Sequence, residues 1–113
     1  MSKKISWYYH RRGWTSAKRA QEFLRSTTVE QPDFILASKQ KFPREDALKL
    51  ARDAQRVLVS QRKKILTFDA TSSDDDVASA ILGRSGNLRV PAIRIGDTLM
   101  VGFHEEAYQQ LFK

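Results

Sequence analysis

The chain contains no cysteine. That absence excludes a disulfide framework, a thiolate zinc site and a cysteine nucleophile among these residues. Histidine is scarce too. His10 and His104 stand far apart with no ligand-like spacing around them, so no dedicated transition-metal site is expected. No apolar run approaches the length of a membrane span. The basic start, Met1-Ser2-Lys3-Lys4, is followed neither by an apolar core nor by a small-residue cleavage site. No signal peptide is therefore read, and a cytoplasmic location is the expectation. Acidic residues are in the minority, 13 against 20 Lys and Arg, which leaves a net charge of +7. Such a charge suits nucleic acid or anionic partners through counterion release, and it equally suits a solvated surface. Composition alone does not choose between them.

What is present points to one folded domain. At 113 residues the chain has no room for a second core. Apolar residues make up 41% and charged residues 29%, the balance of a globular domain rather than a disordered one. There is no internal repeat and no low-complexity linker. Ile5 to Tyr9 is a β-branched and aromatic run, read as a strand. His10 to Gly13 forms a loop. Thr15 or Ser16 is placed to cap a helix whose apolar face carries Ala17, Ala20, Phe23 and Leu24.

Pro32 breaks the chain, and Phe34 to Ala37 reads as a second strand. Pro43 opens a helix carrying Ala47, Leu48, Leu50, Ala51 and Ala54. Val57 to Val59 and Ile65 to Phe68 flank a polar stretch, either as a hairpin or as a helix end followed by an extended segment. Asp74, Asp75 and Asp76 precede an apolar set ending in Gly83. They read as the cap and first turn of a helix, not as a metal site. Ala92 to Ile95 and Thr98 to Val101, joined by Gly96-Asp97, form a hairpin. Glu105 to Phe112 closes the chain as a helix. The order suits a small mixed α/β sheet with helices packed on it.

That order resembles the thioredoxin fold, and two segments make the resemblance narrower. NLRVPAIRIGDTLMVGFHEEAY, Asn87 to Tyr108, is similar to the C-terminal half of glutaredoxin-like and arsenate reductase-like proteins. There a cis proline precedes a strand beside the active-site loop, and Pro91 would be its equivalent. WYYHRRGWTSAKRAQEFL, Trp7 to Leu24, resembles the strand, redox loop and first helix of the arsenate reductase-like branch. The likeness spans nearly the whole chain and is weakest from Gln40 to Ala70.

In that branch the nucleophile directly follows the loop glycine, often as Gly-Cys-x-x-Cys. Here Gly13 is followed by Trp14, and the second Cys position holds Ala17. Arsenate reductases proper usually carry Arg immediately before the proline. Here Val90 is there and Arg89 stands one place earlier, so arsenate specificity is not implied.

Trp14 admits three readings. It is native in a redox-dead member, or it stands where selenocysteine was recoded, or it is a structural aromatic and the alignment misleads. Selenocysteine is specified by UGA and tryptophan by UGG, and selenoproteins occur in a small branch of this family. With a selenol at position 14, the resemblance implies attack on an oxidised substrate or disulfide. An external thiol would resolve the adduct, because Ala17 cannot. Thr15 and Ser16 would then donate to the anion, and the Val90 backbone would pair with an extended substrate or glutathione. Without that chemistry, Thr15 and Ser16 are helix caps and Pro91 shapes a turn.

An anion site near Arg11, Arg12 and Arg89 at the helix N-terminus fits every reading of Trp14. No cofactor is implied. The implied partners are a thiol donor (glutathione or a redox protein) and a small oxyanion or peptide. A binding module for an anionic ligand, a protein partner or nucleic acid is the competing class. Trp7, Tyr8, Tyr9 and Trp14 interleave with Lys3, Lys4, Arg11 and Arg12, as in single-strand nucleic-acid binders. Strand alternation opposes this, since either Tyr8 or the pair Trp7 and Tyr9 should be buried. Arg62, Lys63 and Lys64 read as a solvated turn.

Overall fold

The computed structural model describes residues 4–27 and 30–112. Lys3, one of the basic residues of the nucleic-acid reading, lies outside them. The elements run β1 (Ile5–His10), α1 (Thr15–Arg25), β2 (Ile35–Leu36), α2 (Arg44–Asp53), β3 (Arg56–Gln61), β4 (Lys64–Phe68), α3 (Asp74–Ile81), β5 (Ala92–Ile95), β6 (Thr98–Val101) and α4 (Glu105–Leu111). Six strands form one mixed sheet in the order β2-β1-β5-β6-β3-β4. The protein is thus mixed α/β, and its sheet and four helices are consistent with a thioredoxin-like fold.

Helices cover both faces of the sheet. On one face Ala47 and Ala51 of α2 and Val77 and Ile81 of α3 pack on Tyr9, Val57, Val59 and Val101. On the other, Ala20 and Leu24 of α1 and Tyr108 and Leu111 of α4 pack on Tyr8, Ile93 and Met100. This two-sided cover corrects the alternation expected of β1. Tyr8 and Tyr9 are both buried, one under each helical layer. A strand with helices on both faces has no solvent side to keep polar. Trp7 stacks on Tyr9 at 5.7 Å and meets Phe42 edge-on. Three aromatics of the nucleic-acid reading are therefore packing residues.

Residues 40–70, where the resemblance is weakest, build α2 and the β3–β4 hairpin. Of the two readings of this segment, the hairpin is the one that forms. Gln61 pairs with Lys64 across a two-residue turn, and Arg62 adopts φ 58 within it. The hairpin joins the sheet because β3 runs parallel to β6, with Val59 opposite Val101.

Asp74, Asp75 and Asp76 start α3 as expected, although the cap is Ser73, the residue before them, and none of the three. Ser73 caps α3, its hydroxyl accepting from the Asp76 N–H at 3.1 Å, and the three acids fill the first turn. Asp74 and Asp75 also pair with Arg52 and Arg44 of α2 at 2.6 and 2.7 Å. His104 caps α4, its Nδ1 accepting from the Ala107 N–H at 3.3 Å. Ile95 pairs with Thr98, so Gly96-Asp97 is the two-residue turn of the β5–β6 hairpin.

Candidate functional site

The loop from β1 to α1 is shaped by one glycine. Gly13 sits at φ +84, a conformation that strains any L side chain. Trp14 follows in extended conformation as the N-cap of α1, and no side chain caps the helix. Thr15 and Ser16 are therefore not caps, contrary to the sequence expectation. The sharp turn at Gly13 starts the helix directly after Trp14, which makes them its first and second residues. Lys18 is the first residue whose N–H bonds back, to the Trp14 carbonyl at 2.9 Å. The amides of Thr15, Ser16 and Ala17 precede it and have no intrahelical acceptor. The first turn carries no acid, so the positive end of the helix dipole is not neutralised.

Trp14 is the one exposed large hydrophobic side chain among the described residues, at 48%. The Arg11 guanidinium lies over its ring, 4.6 Å from the centroid. Both face an open cleft of about 500 Å³ together with Ser16, Arg89 and Val90. The peptide bond between Val90 and Pro91 is cis. Pro91 is buried behind the cleft wall, and its carbonyl accepts from the Gly102 N–H at 2.7 Å. Among the described residues, no backbone group pairs with the Val90 N–H or C=O.

Five of the residues singled out in the sequence thus meet in one place: Arg11, Trp14, Ser16, Arg89 and Val90. Arg12, Gly13 and Thr15 are exposed beside the cleft and do not line it. Arg89 has a structural task. Its guanidinium donates to the carbonyls of Ala80 at 3.2 Å and Ser60 at 3.0 Å, tying the segment before Pro91 to α3 and β3. Burial holds its pKa below the ordinary arginine value.

Sequence reasoning missed two cations of the wall, Lys41 and Arg84. They come from the loop before α2 and the turn after α3, so no local pattern joined them to Arg11. The run Gly83-Arg84-Ser85-Gly86 directly ahead of the Pro-strand segment was the available signal. Tyr9 also reaches the wall, where its hydroxyl donates to the Gln40 carbonyl at 2.7 Å. The cleft is therefore lined by four cationic side chains and by no Asp or Glu. It can attract an anion, stack a planar group on Trp14 and offer free main-chain groups at Val90.

His10 lies at the root of the loop. It is 3% exposed, packs on Phe34 with ring centroids 4.8 Å apart, and its Nδ1 has no hydrogen-bond partner among the described residues. Burial, and then the charge of Arg12, lowers its pKa below 6.5. The consequence for stability has a definite sign. Well above pH 6.5 the imidazole is neutral in both states and contributes no slope. Below that, the unfolded chain binds a proton that the folded chain resists, so stability falls until the pH passes the folded pKa. Asp69, held below its usual value mainly by the Thr71 hydroxyl, titrates in a lower window. Thermal melts between about pH 7 and pH 5 should show a falling Tm that His10→Phe flattens. An unchanged slope in the variant would place the proton uptake elsewhere.

Among the described residues, no group of three or more His, Cys, Asp or Glu side chains is arranged to hold a metal ion. No described helix is long and apolar enough to cross a membrane. No model of a known protein family matches the chain, and no curated protein matches it.

Proposed function

We propose that this chain is a thioredoxin-like protein of the arsenate reductase-like branch in which position 14 is the redox position. With Trp14 in place it works by binding rather than turnover. The ligand is an extended anionic thiol or disulfide compound, with glutathione as the representative. The observation that carries this reading is the pairing of Trp14, at an uncapped helix N-terminus, with unpaired Val90 across a cationic cleft. Ligand carboxylates would meet Arg11, Lys41 and Arg84. Its peptide groups would bond to the Val90 backbone in the manner of an added strand.

Trp14 reports its own site. In a Trp7→Phe background, titration with oxidised glutathione should change Trp14 emission, and added salt should weaken the effect. Lys41→Ser combined with Arg84→Ser should raise Kd about tenfold, equivalent to about 1.4 kcal/mol. Emission that never changes, or a Kd indifferent to both substitutions, would refute binding at this cleft. The codon for position 14 separates the two origins of the site. UGA with a downstream selenocysteine-insertion hairpin means that the natural protein is a selenoenzyme. UGG means that binding is its native role.

A further inference from the structure

Among the described residues the sheet ends at β4, whose ladder partner is β3. The direction of its main-chain groups follows from the neighbouring strands. The Arg56 N–H donates to the Asp97 carbonyl at 3.2 Å, at the start of β6. Arg56, Leu58 and Ser60 of β3 thus point their backbone groups toward β6, and Val57, Val59 and Gln61 point theirs toward β4. The partners of the latter three are Phe68, Leu66 and Lys64. Ile65 and Thr67 therefore direct their N–H and C=O groups outward, into an open edge.

The ends of this strand carry opposite charges. Lys63 precedes it and Asp69 follows it, and both side chains are exposed. An antiparallel copy placed on a two-fold axis through Leu66 sets Ile65 opposite the copy's Thr67. The outward groups of both residues then pair. Beyond the paired strand, the same arrangement brings the turn that carries Lys63 toward the copy's Asp69 end, on both sides of the axis. Ile65 packs at the rim of one core cluster, and Leu66 and Phe68 at the rim of the other, all partly buried. A second copy would cover both rims.

We propose that β4 is a self-association edge, and that two copies of this chain pair antiparallel through it into one continuous sheet. Register favours a second copy over an unrelated peptide, because the strand's own ends supply the charge match. It is an isologous contact, closed at two subunits. A net charge of +7 on each copy opposes association, so the contact is weak and strengthened by moderate salt.

Sedimentation velocity from about 1 to about 200 μM protein in about 0.15 M salt tests this. The mass should rise from 13.0 kDa toward twice that value across the range. Thr67→Pro removes an outward N–H without touching the β3 ladder. It should stay monomeric with an unchanged circular dichroism spectrum. Lys63→Glu should weaken the dimer about tenfold, and Lys63→Glu with Asp69→Lys should recover most of the loss. If Thr67→Pro fails to fold, the charge exchange decides alone. A chain that is monomeric throughout, a Thr67→Pro dimer of wild-type strength, or a charge exchange without recovery would overturn the proposal.

Discussion

Cysteine placed at position 14 should ionise far more readily than an ordinary cysteine, whose thiol has a pKa of about 8.5. Three features of the loop act in the same direction. The Thr15, Ser16 and Ala17 amides lack intrahelical acceptors and are left free to stabilise negative charge at position 14. The first turn of α1 has no acid to cancel the dipole. Arg11, now stacked on the Trp14 ring, would face the thiolate. A shift of one unit gives about tenfold more thiolate near neutral pH.

Trp14→Cys should therefore react with iodoacetamide at about pH 6.5 roughly ten times faster than Lys49→Cys, on the exposed face of α2. With oxidised glutathione the chemistry is a single exchange. The Cys thiolate attacks one glutathione sulfur, the S–S bond breaks, and a glutathione thiolate leaves. Ala17 offers no second thiol, so the mixed disulfide should persist in a mass spectrum until an external thiol removes it. Equal alkylation rates for the two cysteines would show that the loop does not activate position 14. Trp14 itself has an indole N–H that donates and forms no comparable nucleophile.

Gly102→Ala should lower stability by about 2–5 kcal/mol, with a fall in Tm of roughly 8–20 °C. Gly102 has φ +83, which strains alanine by about 1–2 kcal/mol. The added Cβ would also lie 3.0 Å from Ser60 Cβ, 3.3 Å from the Ser60 carbonyl oxygen and 3.5 Å from Arg89 Nη2. Ser60 is buried and its hydroxyl donates to the Phe103 carbonyl at 3.1 Å, so it has little room to retreat. Overpacking of that kind costs about 1–3 kcal/mol. Gly86→Ala is the control, since Gly86 has φ +81 and nothing within 4 Å of its Cβ direction. It should show the backbone penalty alone. Equal losses at the two positions would mean that the contact with Ser60 and Arg89 contributes nothing.

Gly102 also shows how the site is supported. It passes close to β3, and its N–H bonds to Pro91. Arg89 fills the remaining space and reaches Ser60 and Ala80. The segment before Pro91 is thus held from behind, while Val90 faces the cleft. The sequence marked Arg89 as an anion ligand because it is a cation beside the proline. Its anchoring task was not legible, because Ser60 lies far away in the chain.

Sequence by itself determined the parts whose physics is local. Apolar spacing in Ala17 to Leu24 specified the face of α1, three successive acids marked the start of α3, and Gly96-Asp97 turned one hairpin. Local rules also located the loop glycine before Trp14 and the proline at 91. Only the tertiary structure decided what crosses the sheet. It set β3 beside β6, buried Tyr8 and Tyr9 on opposite faces, and moved the cap of α1 from Thr15 or Ser16 to Trp14. It also gathered Arg11, Lys41 and Arg84 from three loops around Trp14. The reason is the range of the forces. Turn, cap and periodicity preferences act within a few residues, whereas strand order and a shared cleft come from burying apolar area between distant segments.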